Sequence, residues 1–360
     1  TYNIYLWIDE SAGNEVQGQT FEASINVVSS AITLEPTVAD KIIAQLDTTG
    51  ACPTVSEDGT VQVTGAESTN GYLCSAPDDY GTSYYYRGNV TNNYVKFGTN
   101  ESGQDMYWRI IRINGDGTIR IIYDGTSAHA NNDSSTDRQV GTSAYNSSYN
   151  DNAYVGYMYG TAGSSSYAET HANTNDSTIK AYLDNWYKTN IEDKGLSSYI
   201  SDTLFCNDRS FNPANSGTGI GASITYYRWY YGPWSSTGTQ YPRLSCSQQN
   251  DRFTVNDELI GNGDFSYPIG LVTADEVVLA GGYSTSNSGY YLYTGNYYWT
   301  MSPGNFNGGS AGVRGVRSDG RGYDYDSVSL LCGVRPTLNL LPDSLKVGSG
   351  TADDPWRIAD

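Results

Sequence analysis

The chain has 360 residues, room for one large domain or two smaller ones, and 39 acidic against 20 basic side chains give it a net charge of −19. Such a surplus repels phosphate backbones and anionic lipid surfaces, so nucleic acid and membrane are poor partners for it. No apolar run approaches the roughly 18 residues of a membrane span, so this chain carries no segment for direct membrane insertion.

The sequence opens in mid-pattern, TYNIYLWIDE, without Met or signal peptide, and reads as a processed or partial form whose targeting segments are missing. Over residues 1–31, YNIYLWI and TFEASINVV alternate around a polar DESAGNEVQGQ, a strand pair expected to end an upstream β-domain or stalk. LEPTVADKIIAQL then places Val38, Ile42, Ile43 and Leu46 at helical spacing behind Pro36, a short helix opening the main unit over 32–345. PTVSEDGTVQVTGAESTNGYL, between Cys52 and Cys74, reads as a hairpin. DMYWRIIRINGDGTIRIIYDG is the clearest hairpin of the chain, two β-branched runs flanking Asn114-Gly115-Asp116-Gly117. NDSTIKAYLDNWYKTNI sets Ile179, Leu183 and Trp186 on one helical face, with Asp176 or Ser177 as N-cap. VTADEVVLAGG predicts a second helix, opened by the capping box Thr273-x-x-Glu276 and closed by Gly281-Gly282. Polar stretches at 124–152, 161–176 and 212–222 read as long loops, and the tail 346–360 as a polar turn and a short strand.

Tyrosine outnumbers phenylalanine 33 to 7, beside 40 glycines. That composition suits a recognition surface, and equally a β-rich secreted protein with wet strand faces. Five cysteines without CxxC or Cys/His spacing give no zinc site. Cys52 with Cys74 and Cys206 with Cys246 are compatible with two disulfides in an oxidising compartment, which leaves Cys332 unpaired. No hydrolase, nucleotide-binding, metalloprotease or EF-hand motif is present, so the expectation is a non-enzymatic protein without a cofactor. Asp78-Asp79, Asp324 with Asp326, and Asp353-Asp354 could hold structural calcium, although acidic pairs in so acidic a chain are more often simply solvated. His129 and His171 fall in loops with no paired nucleophile.

One stretch stands apart. Residues 308–336, GGSAGVRGVRSDGRGYDYDSVSLLCGVRP, carry Arg314, Arg317 and Arg321, then Tyr323 to Asp326, then Cys332, and run into the orderly GVRPTLNLL. Residues 305–332 contain no Lys, Glu, Gln, Met or Trp. Those types supply about one residue in ten of the chain, so a gap of that length arises by chance in about one window of twenty. Ala311, Val313, Val316 and Val328 punctuate the segment as apolar anchors, and Trp299 and Arg335-Pro336 bracket it.

YPIGLVTADEVVLAGG, YLYTGNYYWTMSP and GVRPTLNL, together with YWRIIRINGDGTIRIIYDGTS, VGYMYG and FCNDRS, resemble a family of surface proteins from gut Firmicutes. Their C-terminal domain is similar to the C-type lectin fold, in the branch shared with formylglycine-generating enzymes. Many of them look like the variable proteins of diversity-generating retroelements. The resemblance covers about residues 37–345, and it implies an α+β, C-type-lectin-like domain of short antiparallel strands, two short helices and long loops. In such systems adenine-directed mutagenesis turns AAY codons into NNY, a set that never encodes Lys, Glu, Gln, Met or Trp, which matches the gap at 305–332. The carbohydrate-binding triplets of calcium-dependent lectins and the paired reactive cysteines of the oxidases are absent, so neither sugar specificity nor oxidase activity carries over.

The resemblance implies a secreted or surface-displayed binding protein, an adhesin or receptor in the extracellular space. Its ligand-binding, variable face would comprise Asn305, Phe306, Asn307, Ser310, Gly312, Arg314, Gly315, Arg317, Asp319 and Arg321. It would continue through Tyr323, Asp324, Tyr325, Asp326, Ser327, Ser329, Leu330, Leu331 and Cys332. A polar or mixed-charge protein ligand on another cell, phage or host surface suits that face best. A rival reading is a glycan-binding adhesin built on the Tyr226–Trp234 cluster, YYRWYYGPW, whose Trp229 and Trp234 would stack on sugar. A structural cell-wall or pilus component comes third.

Overall fold

The computed structural model describes residues 35–214, 217–231, 240–322 and 325–359. The strand pair expected over 1–31 lies outside them. From Pro36 onward the chain forms one compact unit, and the expected tail 346–360 belongs to that body.

The expected first helix is α1 (Val38–Ile43), capped by Thr37, whose side chain and Asp40 satisfy each other's backbone N–H groups. Five strands follow: β1 (Gly71–Pro77), β2 (Thr82–Gly88), β3 (Tyr94–Thr99), β4 (Asp105–Ile113) and β5 (Ile119–Gly125). The β4–β5 hairpin forms where the NGDG turn predicts it. Gly117 takes the left-handed conformation (φ +85°), and Asp116 accepts hydrogen bonds from the Thr118 N–H and hydroxyl. One edge of β4 pairs β5, while its other edge pairs β3 over the first half and β2 at the end. The Cys52–Cys74 disulfide closes a loop in which Val55 and Val61 form only a single antiparallel bridge, a shorter hairpin than expected.

The second sheet takes β6 (Thr142–Ser143), β7 (Thr225–Tyr226), β8 (Tyr298–Phe306), β9 (Ala311–Val316), β10 (Tyr325–Ser327) and β11 (Cys332–Gly333). Its order is β10-β9-β8-β11-β6, with β7 on the end of β8. Through Val334–Pro336 the chain crosses back to the first sheet, where β12 (Thr337–Leu340) pairs β5 and β13 (Trp356–Arg357) pairs β3. The β3–β13 and β8–β11 pairs are parallel, so the sheets are mixed and not purely antiparallel.

Helix α2 (Thr178–Tyr187), capped by Ser177, and helix α3 (Ala274–Leu279), opened by the Thr273/Glu276 capping box, pack on these sheets. A further turn of helix spans Tyr167–Thr170. One core joins Trp108, Ile110 and Ile121 of the first sheet, Leu183 of α2, Val277 of α3 and Trp299 and Phe306 of the second sheet. The described part is therefore a mixed α+β body, dominated by sheet.

Many of its tyrosines are interior. Tyr85, Tyr86, Tyr94, Tyr145, Tyr157, Tyr227, Tyr290, Tyr291 and Tyr298 are among those buried. Several donate their hydroxyl to a buried carbonyl, as Tyr94 does to His129 and Tyr298 to Leu292. Tyrosine here serves as a core residue with one hydrogen bond to place.

Arginine is interior too. Asp124 accepts from Arg138 and Arg335 at 2.8 Å each, with Arg109 at 3.9 Å. Glu276 on α3 holds Arg112 at 3.0 Å and Arg120 at 2.6 Å, and Asp78 takes the other side of Arg112 at 2.8 Å. Arg228 bridges Asp208 and Asp275, and Arg209 grips Asp251 at 2.6 Å. Burying such pairs yields little net stability, whereas removing one partner strands a charge.

Candidate binding face

The segment 305–332 folds as a three-strand meander: the end of β8, then β9, then β10. Alternation would have turned every second side chain outward, but the sheet is covered on both faces, and β8 and β9 are buried along their whole length. The apolar anchors Ala311, Val313, Val316 and Val328 are all fully buried, as are the brackets Trp299 and Arg335. Trp299 donates its indole N–H to the Ser143 carbonyl at 3.0 Å, and Arg335 reaches Asp124 and the Leu292 carbonyl.

Several residues expected on the ligand face are also inside. Phe306 has no exposed surface, and Asn305 and Arg314 retain 2%. The Arg314 guanidinium donates to the Trp229 carbonyl, and the Thr300 hydroxyl donates to the Arg314 carbonyl. Arg314 thus ties the 228–231 turn to the sheet and offers no fork to a ligand. Gly312 is buried, and at Gly315 a Cβ would meet the Tyr297 ring at 2.5 Å, so close packing and not variation fixes glycine there. Cys332 is a free, buried thiol that burial pushes up to about 12, the Asp326 charge adding to the shift. These five positions and Phe306 cannot touch a ligand without a rearrangement of the sheet.

What remains exposed divides between the two ends of β9, roughly 20 Å apart for six strand residues. At one end sits the β8–β9 turn. Asn307 caps it, its side-chain oxygen accepting from Gly309 at 3.0 Å and Ser310 at 2.8 Å. The Ser310, Ser327 and Ser329 hydroxyls form a ladder with spacings of 2.8 and 2.9 Å. Beside it Leu330 is 48% and Leu331 73% exposed. The neighbouring loops extend this end, because Ala311 donates its N–H to the Tyr149 carbonyl and Gly308 lies against Ile224. Tyr149 is 48% and Ile224 52% exposed. Asp326 is the nearest half-buried acid, and no Lys or Arg lies in the described stretches 143–151, 221–226, 307–310 and 326–331.

At the other end is the turn Arg317–Arg321. It is anchored from outside the segment: Asn287 donates its N–H to the Asp319 carbonyl at 2.9 Å, and Tyr290 donates its hydroxyl to the Gly320 carbonyl at 3.0 Å. Arg321 pairs with Asp319 at 2.8 Å. Against partial burial, the Arg321 N–H, the Ser286 hydroxyl and the Arg321 charge hold the Asp319 carboxyl below the usual range. Arg317 is half-buried beside them. Tyr323, Asp324 and the Tyr325 side chain lie outside the described residues, so the expected single face resolves into an apolar-and-serine end and a charged end.

The rival cluster is a core feature where it is described. Trp229 has no exposed surface and donates to Asp275, Tyr227 is equally buried, and Arg228 sits between Asp208 and Asp275. No sugar can stack on Trp229, while Trp234 lies outside the described residues. The acidic pairs are engaged individually: Asp78 with Arg112, Asp79 with Arg252 and the Cys246 N–H, and Asp354 with Arg357. Among the described residues no group of three or more His, Cys, Asp or Glu could hold a metal ion. His171 is sealed between Tyr167 and the Gly219 carbonyl, where burial, then the Arg209 charge, depresses it to about 3. The disulfides Cys52–Cys74 and Cys206–Cys246 are both formed, which fits an oxidising environment. No helix among the described residues is long and apolar enough to cross a membrane.

No protein-family model matches the chain, and neither a curated protein nor a solved structure proves similar to it.

Proposed function

We propose that the chain is a non-enzymatic binding protein, secreted or displayed on a cell surface, that engages a protein ligand through the end of the second sheet bearing residues 307–310 and 326–331. The observation that carries this reading is a contrast within one segment. Strands β8 and β9 are buried and bracketed by fully buried Trp299 and Arg335, while the ends of the segment present side chains to solvent, Leu330 and Leu331 above all. A rigid frame with free tips is what a tolerant recognition surface requires. Leu330, Leu331, Tyr149 and Ile224 supply exposed apolar area at that end, beside the serine ladder and Asn307. Their lack of positive charge favours an apolar or uncharged patch on the partner over an acidic one. The lectin-like descent and the retroelement origin of the segment belong to the same proposal, supported by the Trp299–Pro303 and Gly333–Pro336 bracket and by the missing residue types.

The test is capture from cells of the source community followed by competition. Substituting Leu330→Ser and Leu331→Ser should abolish capture of any specific protein, while Arg317→Ala at the opposite end should weaken it little. Equal capture by the doubly substituted protein would remove this end as the ligand face.

A further inference from the structure

A groove of 470 Å³ opens where the β3–β4 turn at Asn100–Gln104, the loop 126–140 and helix α2 converge. Its walls include the rings of Tyr123, Tyr182 and Trp186, and among the described residues its charged side chains are Glu101 and Asp137, with no Lys or Arg. Trp186 is held in place by edge-on contacts with Trp108 and Tyr123, at 6.1 and 6.3 Å between centroids, and keeps part of its surface exposed. Asp137 is half-buried and accepts from Thr126 and His129. Glu101 is exposed and takes part in no ion pair among the described residues, although its charge reaches Tyr182, whose hydroxyl is raised first by burial and then by Glu101. Neighbouring cations are turned elsewhere: Lys194 onto the Thr99 and Asn100 carbonyls, Lys96 onto Asp105 at 2.8 Å, Arg138 onto Asp124 at 2.8 Å and Lys188 onto Glu192 at 3.0 Å.

We infer that this groove binds the alkylammonium head of an organic cation, seated against the Trp186 ring with Glu101 as its counter-charge. An aromatic face attracts a cation through its quadrupole, more strongly in a cleft that sheds water. A concave, one-signed wall in a protein of net charge −19 concentrates cations further. The same wall repels anions. A neutral sugar could use the ring but would gain nothing from the unpaired carboxylate. The chemistry fits two sources, a free quaternary or primary amine and a lysine side chain of a protein partner. The site shares no residue with the proposed ligand face, so either can fail without the other.

Isothermal titration at low salt with three probes decides it: choline, N-acetyl-lysine methylamide, and 3,3-dimethylbutan-1-ol, the uncharged isostere of choline. At least one cation should bind about tenfold more tightly than the alcohol, and Glu101→Gln and Trp186→Leu should each weaken it several-fold. Glu101 is exposed, so its substitution leaves the fold intact. Tighter choline assigns the groove to a free amine, and a tighter lysine amide to a partner's side chain. Equal binding of the alcohol, no heat from either cation up to about 20 mM, or an unchanged affinity in Glu101→Gln would overturn the inference.

Discussion

Truncating Phe306 should cost far more than truncating Leu331, although both lie in the segment whose composition marks it as variable. Phe306 closes the β7–β8 and β8–β9 pairings, opposite Thr225 and Ala311, and has no exposed surface. Deleting a fully buried phenyl ring removes its transfer free energy and leaves a cavity, together about 3–5 kcal/mol. Leu331 is 73% exposed, so Leu331→Ala should stay within about 0.5 kcal/mol. For a unit of roughly 330 residues, an unfolding entropy near 2.1 cal/mol/K per residue turns 4 kcal/mol into a fall of about 6 °C. Urea unfolding followed by tryptophan fluorescence, with calorimetry for Tm, measures both variants against the parent. A Phe306→Ala cost below about 1 kcal/mol, or a Leu331→Ala cost equal to it, would mean that the meander is not packed as described.

Three further outcomes follow from the same structure. Replacing Cys206 and Cys246 by Ser should destabilise by about 4 kcal/mol and the Cys52/Cys74 pair by slightly less, since the bridges close 40 and 22 residues of separation; the difference in urea midpoints reads it. His171 stays neutral in the folded protein down to about pH 3, whereas the unfolded chain takes up its proton near pH 6.5. Its contribution is therefore complete above pH 6.5 and is lost as pH falls, by at most about 1.4 kcal/mol per unit, and His171→Gln should flatten stability against pH by that slope. Cys332, with its thiol pushed up to about 12, should resist iodoacetamide at pH 8 in the native protein and react once urea unfolds it.

Local signals in the sequence were enough for the elements. The Asn114–Gly117 turn, the Thr273/Glu276 capping box and the Ser177 cap each act within four residues, so each could be read without the fold. The disulfide pairing and the inward Val313, Val316 and Val328 were equally visible. The interior arginines were not. Arg112 faces inward because Glu276 arrives from 164 residues away, and Arg314 because the Trp229 carbonyl lies 85 residues back. Side-chain type alone assigns such groups to the surface, and only the assembled fold supplies their partners. The same reason moved Asn305, Phe306 and Arg314 off the expected ligand face, and it hid the groove at Trp186, which three distant segments share.

Deep sequencing of codons 295–340 in the source population, with a search of adjacent DNA for a near-copy carrying adenines, tests the central claim most directly. The account predicts variation at 307–310, 317–319, 321, 326–327 and 329–331, in first and second codon positions, with the buried Val328 fixed. Phe306, Val313, Arg314 and Val316 should stay fixed because they are buried, and Gly320 because a Cβ there would meet the Asn287 carbonyl at 1.8 Å. A single invariant sequence with no template nearby, or variation as frequent at the buried positions as at the turns, would contradict it.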